Sequence, residues 1–239
     1  MPNQIDQLKS GLRKLATSEK AGSSAWFFKT GPGQYGEGDK FMGVTVPEQR
    51  RIAGQFKDLP LAELKMLITS PWHEERLTGL FILVGQYQRG SVADKKKVYD
   101  LYLSLTKYIN NWDLVDSSAA YIVGPYLEGK KRAVLTGLAR SKDLWERRIA
   151  MIATFHYIRQ GDAGDALKIA EILLRDKHDL IQKAVGWMLR EIGKRVDEQI
   201  LISFLNKYAE TMPRTALRYA IERLPADKRK FYLNKKNAK

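Results

Sequence analysis

Helix pairs that recur about every 34 residues constrain this chain more than any other feature of its sequence. Helical segments of one type begin near residues 73, 111, 144, 178 and 212, so successive starts lie 38, 33, 34 and 34 residues apart. Each is preceded by another helical segment, such as residues 92–109 or 162–175. Helix pairs repeated at this period are typical of an α-solenoid. We therefore predict an all-α solenoid of about six helix pairs that forms one domain, residues 1–239.

The apolar pattern inside the segments supports this prediction. Residues 73–87 place Leu77, Leu80, Phe81 and Val84 at the i, i+3, i+4, i+7 spacing of one helix face. Residues 144–158 and 181–193 behave alike, and no run alternates as a strand would. Helix-breaking residues separate segments of 10–18 residues, so we predict about a dozen helices. The helix-breaking residues are Pro47, Pro60, Pro71, Gly90, Gly129, Gly161 and Pro213.

The charge balance points to a polyanionic partner. The 239 residues include 41 Lys or Arg and 27 Asp or Glu, which gives a formal net charge of +14. This excess is larger than solubility requires, and it favours nucleic acid. The absence of cysteine excludes disulfides, a thiol nucleophile and Cys-ligated metal sites. The start of the chain lacks a signal-peptide pattern and no apolar run could span a bilayer, so we expect a cytoplasmic protein without a membrane partner.

Basic residues concentrate on the second helix of each predicted pair, which in a solenoid usually lines the concave face. The set comprises Arg147, Arg148, Lys183, Arg190, Arg214 and Arg218. Because Arg suits bidentate phosphate recognition, we predict a concave basic groove that contacts a nucleic-acid backbone. Other basic clusters lie at residues 95–97, 130–132 and 228–239, and for residues 95–97 we favour a solvated helix end.

Two motifs are interpreted as structural. Residues 31–38 contain GxGxxG, but no strand precedes them, so we expect a flexible connection rather than a dinucleotide site. The HEER segment at residues 73–76 lacks the second histidine of a zinc motif. We expect His156, on an apolar stripe, to be partly buried with its polar needs satisfied.

Residues 110–118 are more informative. Asn110 or Asn111 can cap a helix on which Trp112 and Asp116 share one face. Asp113 points about a quarter turn away and compensates the helix dipole. Asp116 either faces a ligand or pairs with a groove arginine such as Arg148.

Trp112, together with Trp187 two repeats later, belongs either to the core or to a binding site. In a cationic groove, two indoles and a carboxylate suit a developing positive charge, such as the oxocarbenium ion formed when an N-glycosidic bond breaks. A departing base that is already cationic would need no strong general acid.

These residues carry a resemblance to a known family. The segments NWDLVD (111–116), LWERR (144–148), IQKAVGWMLRE (181–191) and RTALR (214–218) resemble the AlkD-type bacterial DNA glycosylases of the DNA alkylation repair family. The resemblance extends from about residue 5 to about residue 225. It implies HEAT-like helix pairs and a monofunctional enzyme of base excision repair that hydrolyses the N-glycosidic bond of cationic N3- or N7-alkylated purines, such as 3-methyladenine or 7-methylguanine, in duplex DNA. It also implies a nucleoid-associated monomer that does not flip the base and needs no metal or cofactor.

The resemblance also implies roles for particular residues. Trp112, Asp116 and Trp187 match the positions that hold the damaged nucleotide and carry catalysis. Arg148 matches a DNA-backbone contact, and Lys183 and Arg190 match basic groove positions, to which we add Arg214 and Arg218. Phe27, or Trp26 if the register slips, takes the place of an aromatic residue near DNA. Two alternatives remain: a DNA-structure-binding protein without catalysis, and a protein-binding scaffold.

Overall fold

The computed structural model describes residues 3–235, and this part of the chain is built from helices without a β-strand. One isolated parallel bridge joins Lys40 and Trp72. The α-helices are α1 (Gln4–Leu15), α2 (Ser18–Phe27), α3 (Val46–Gln55), α4 (Leu61–Ile68), α5 (His73–Arg89), α6 (Val92–Ser104), α7 (Trp112–Asp116), α8 (Ala119–Tyr126), α9 (Ala133–Ala139), α10 (Leu144–Ala153), α11 (Phe155–Ile158), α12 (Gly164–Leu173), α13 (Asp179–Arg195), α14 (Glu198–Tyr208), α15 (Arg214–Ile221) and α16 (Ala226–Asn234). A short 3-10 helix covers Thr106–Tyr108. The predicted all-α fold of helix pairs is confirmed.

The predicted helix starts agree with the structure to within two residues, at α5, α7, α10, α13 and α15. Several predicted segments are nevertheless divided, so the described helices outnumber the predicted dozen. Residues 144–158 form two helices because Thr154 interrupts the run. Its buried hydroxyl donates a hydrogen bond to the Met151 carbonyl at 2.6 Å, which competes with the regular helical pattern.

Contacts divide the chain into two compact units, residues 1–122 and residues 123–239. In the first unit, α5 is the central helix and packs against α3, α4, α6 and α7. Its first eight residues, His73 to Leu80, are all buried. Four of these eight residues are ionisable, so the folded unit must supply each charge with a partner inside the core. That requirement decides the structure of the candidate site.

In the second unit, α13 is the central helix and packs against α10, α12, α14 and α15. Gly186 allows α15 to approach closely: a Cβ atom at this position would lie 2.4 Å from the Ala216 carbonyl oxygen and 2.5 Å from the Tyr219 Cβ. Glycine is therefore required where α13 and α15 cross. The single domain predicted for residues 1–239 stays a prediction.

Capping residues define several of the helix starts. Thr45 and Glu48 form a capping box at α3, and Ser91 and Asp94 form another at α6. The Asp143 carboxylate accepts hydrogen bonds from backbone N–H groups in the first turn of α10.

Within residues 3–235, no helix combines the length and the apolar character that a membrane span requires.

Candidate active site and nucleic-acid interface

Helix α7 carries two of the three predicted catalytic residues. The Trp112 backbone N–H donates to the Asn111 side-chain oxygen at 2.8 Å. Of the two residues predicted to cap this helix, Asn110 and Asn111, the cap is therefore Asn111. Trp112 is half-buried, and its indole stacks on Phe28 with ring centroids 5.3 Å apart. Phe27 meets the same indole edge-on at 5.9 Å. Aromatic neighbours therefore hold the Trp112 ring, which also keeps part of its surface exposed.

Trp112 and Asp116 line the same open cleft, of about 560 Å³, in the first unit. The other lining residues are Arg50, Phe81, Val84, Gly85, Gln88, Asp113, Ser117 and Tyr121. The Arg50 guanidinium carbon lies 3.9 Å from the centre of the Phe81 ring, a cation–π contact that keeps a positive charge in the cleft. An indole, a carboxylate and a guanidinium thus border one space, which is suited to a ligand that carries both phosphate and positive charge.

A buried tyrosine lies behind α7. The Tyr102 hydroxyl is 2.9 Å from the Ser118 hydroxyl, and the side chain is fully buried. Burial raises the pKa of Tyr102 far above its usual range, and the negative charge of Asp116 raises that pKa further. Tyr102 therefore stays protonated at physiological pH.

Asp113 has a partner that the sequence analysis did not identify. Its carboxylate is 2.7 Å from Nε2 of His73, whose other ring nitrogen, Nδ1, is 2.8 Å from the Asp39 carboxylate. Arg76 donates to the second Asp39 oxygen at 2.7 Å. We call these four residues, Asp39, His73, Arg76 and Asp113, the buried charge network. Asp113 lies in the first turn of α7, where it can compensate the helix dipole as predicted, and its carboxylate is also one side of an ion pair.

The network holds His73 in its charged form. Burial of the ring disfavours the charge, but the charges and hydrogen bonds of Asp113 and Asp39 outweigh burial and raise the pKa of His73 to about 9. Burial would raise the pKa of Asp39, but His73 and Arg76 together lower it below the usual value. The buried cations of His73 and Arg76 therefore compensate the buried carboxylate of Asp39 and the partly buried carboxylate of Asp113.

The two glutamates of the HEER segment bind the loop before α3 and helix α1. The Glu74 carboxylate accepts the backbone N–H groups of Met42, Gly43 and Val44 at 2.7–3.3 Å. Glu75 pairs with Lys9 of α1 at 3.2 Å. The sequence carries a signal for this arrangement: four consecutive ionisable residues begin a helix that is otherwise apolar, so their charges must be buried and paired.

The glycine-rich stretch is a connection after α2, as predicted, and hydrogen bonds and close contacts hold it at several points. Gly43 has a φ of +82°, and a Cβ there would lie 2.2 Å from the Thr17 carbonyl oxygen. The Gly36 backbone N–H donates to the Lys29 carbonyl at 3.1 Å. The loop therefore packs against α2, whose last two residues are Trp26 and Phe27. These side chains are 82% and 52% exposed, and their contact with DNA stays a prediction.

In the second unit, Trp187 and Arg148 differ in their surroundings. Trp187 is half-buried and lies 6.0 Å from the ring of Phe155. Arg148 is only 5% exposed and donates to the Leu180 carbonyl at 2.6 Å, so it helps to hold the start of α13. A DNA-backbone contact by Arg148 and a catalytic role for Trp187 both stay predictions.

Most of the other predicted cations already have protein partners. Arg190 pairs with Glu222 and, at 3.6 Å, with Glu191, while Lys183 pairs with Asp179 at 2.6 Å. The remaining pairs are Arg147 with Asp176 at 2.7 Å and Arg214 with the Leu233 carbonyl at 2.7 Å. Arg218 is exposed. Residues 236–239 of the basic tail lie outside the described residues. Phosphate contact by this set stays a prediction, and for the paired cations it would require a change of partner.

The prediction that His156 is partly buried and has a hydrogen-bond partner is confirmed. Its Nε2 is 3.1 Å from the Glu128 carboxylate, and its side chain is 13% exposed.

Comparisons with known proteins concern the family and the fold. Residues 8–224 match the family model described as DNA alkylation repair enzyme. A solved structure described as a predicted DNA alkylation repair enzyme from Enterococcus faecalis is 17% identical, with a TM-score of 0.67 over 88% of this chain and 97% of that chain. The crystal structure of AlkD2 from Streptococcus mutans is 13% identical in sequence, with a TM-score of 0.55; the match covers 93% of this chain and 98% of that chain. No curated protein sequence matches this chain. At these identities the two structures show a common fold.

Proposed function

The chain belongs to the DNA alkylation repair enzyme family, and from this premise we propose that it is a monofunctional DNA glycosylase. The proposed substrate is double-stranded DNA that contains a positively charged N3- or N7-alkylated purine. The proposed reaction is hydrolysis of the N-glycosidic bond by a monomer that uses neither metal nor cofactor and leaves the base in the stack. The observation that carries the proposal is the cleft in which Asp116 and Trp112 lie side by side.

The chemistry follows from the charge of the lesion. As the bond between C1′ and the purine nitrogen breaks, its electron pair neutralises the cationic base, so the base leaves without a general acid. Positive charge develops on the deoxyribose. The Asp116 carboxylate and the π face of Trp112 would stabilise that charge. Water then forms the new bond at C1′, and we assign to Asp116 the orientation of this water and the acceptance of its proton.

Asp116 is chosen over Asp113 because it lies one helical turn from Trp112, so both side chains share one face of α7 and both border the cleft. Tyr102 cannot supply a base, because its pKa is raised. Asp116 is therefore the residue of α7 that we assign to the transition state.

The test is single-turnover release of 7-methylguanine from methylated duplex DNA. Asp116→Asn keeps the shape of the side chain and removes its charge, so we expect the rate to fall by roughly 10²–10³-fold. The affinity for DNA should be unchanged or slightly higher, because a charge that repels phosphate has been removed. The matched control is Asp100→Asn on α6, an exposed carboxylate paired with Lys96, which should keep the wild-type rate.

Two results would contradict the proposal. A wild-type rate for Asp116→Asn would remove this residue from catalysis. Tight DNA binding by the wild type without release of any methylated base would favour a non-catalytic DNA-binding protein.

A further inference from the structure

His73 touches no surface that a DNA ligand could reach, yet it is joined to the helix that carries the proposed catalytic residues. The side chain is 2% exposed, and its two ring nitrogens hold carboxylates from opposite directions in the sequence. Asp39 lies in the loop after α2, and Asp113 is the second residue of α7. Since each carboxylate needs a proton donor, this geometry requires a proton on both nitrogens.

Helix α7 depends on such contacts for its orientation. It has only five residues, and an isolated helix of this length is not stable in water. Trp112 precedes Asp113 directly, and Asp116 follows it by three residues, so the position of Asp113 sets the position of both. The Asn111 cap fixes the start of the helix, and the ion pair to His73 ties it to α5.

A second path from His73 reaches Trp112 through its ring. The imidazole contacts both Phe41 and Phe28, with centroid distances of 4.5 and 5.0 Å. Phe28 in turn stacks on the Trp112 indole at 5.3 Å. The imidazolium therefore orders both the backbone of α7 and the plane of the indole that faces the cleft.

We propose that His73 is a positioning residue for base excision, acting through Asp113 and Phe28 to place Asp116 and Trp112 against the reacting sugar. The inference rests on the proposed glycosylase function. The groups that face His73 are Asp39 from the loop, Arg76 from the next turn of α5 and Asp113 from α7. Loss of the imidazolium charge leaves Asp39 with Arg76 alone, and the partly buried Asp113 carboxylate loses its ion pair.

The first experiment compares two variants of the same turn of α5. His73→Gln removes the charge that reaches α7. Glu75→Gln removes a buried ion pair to Lys9 of α1 and leaves the contacts of α7 intact. We expect His73→Gln to slow single-turnover release of 7-methylguanine by roughly 10- to 100-fold, since small displacements of reacting groups have costs of this order. DNA affinity should change by less than about threefold, because phosphate contacts elsewhere supply it.

Glu75→Gln should keep the excision rate even where its loss of stability matches that of His73→Gln. Equal losses of rate in the two variants would reduce His73 to a general stabilising residue and overturn the proposal. A pH profile adds a second criterion: the wild-type rate should decline as pH rises through about 9 while the protein stays folded, and the rate of His73→Gln should not.

A spectroscopic test does not depend on excision. The chain has five tryptophans, and the indole N–H signal of Trp112 is assigned by its loss in Trp112→Phe. That signal should shift in His73→Gln and stay in place in Glu75→Gln. An unmoved signal in His73→Gln overturns the positioning role even if the wild type is an active glycosylase. If the signal shifts in His73→Gln but the wild type releases no base, the link from His73 to α7 is retained and the glycosylase function is rejected.

Discussion

Replacing His73 by Gln should change how the stability of the protein depends on pH. The folded protein raises the pKa of His73 from 6.5 to about 9, which corresponds to about 3 kcal/mol of stabilisation at ~1.4 kcal/mol per unit. Because the folded pKa is the higher one, this stabilisation is fully present below pH 6.5 and is lost as pH rises towards 9. About half of it should be gone near pH 8.

The assay is urea unfolding of wild type and His73→Gln at a series of pH values from about 6 to about 9.5, followed by circular dichroism. The wild type should lose about 3 kcal/mol more than the variant over this range. His156→Gln is the matched control, because that histidine is paired with the exposed Glu128 in the second unit. Parallel pH profiles for wild type and His73→Gln would refute the argument, since they would mean that the ring carries the same charge in the folded and unfolded chains.

Three further predictions concern packing, the loop and the DNA interface. Gly186→Ala should destabilise the protein by roughly 1–3 kcal/mol, because the new Cβ would lie 2.4 Å from the Ala216 carbonyl oxygen. Gly137→Ala, with no atom within 4 Å of the new Cβ, should be neutral or stabilising in the same urea titration. Glu74→Gln should cost roughly 2–3 kcal/mol and speed amide hydrogen exchange at residues 42–44, because an amide cannot accept all three N–H groups; unchanged exchange would contradict this. DNA affinity should fall by roughly 10³–10⁵ between ~50 and ~200 mM salt if six to ten phosphates are contacted, and Arg218→Ala should weaken binding to damaged and undamaged duplex alike; a flat salt dependence would exclude the basic interface.

The sequence was sufficient to predict the helices and the family, because both can be identified from residues that are near one another in the chain. An apolar spacing of three and four residues reports the face of a helix, and the starts of α5, α7, α10, α13 and α15 follow from it. The motif around Trp112 and Asp116 is contiguous, so its place on one helix face could be derived from helix geometry alone. The cap by Asn111 was predicted for the same reason.

The tertiary structure alone decided which charges meet. His73 is 34 residues from Asp39 and 40 residues from Asp113, and no periodicity links positions at such distances across two loops. The partners of the HEER charges were therefore not predicted, and neither was the hydrogen bond from the Arg148 guanidinium to the Leu180 carbonyl. Helix formation depends on near neighbours in the chain. The pairing of a buried charge depends on which elements the folded core brings within hydrogen-bond distance, and that is a property of packing.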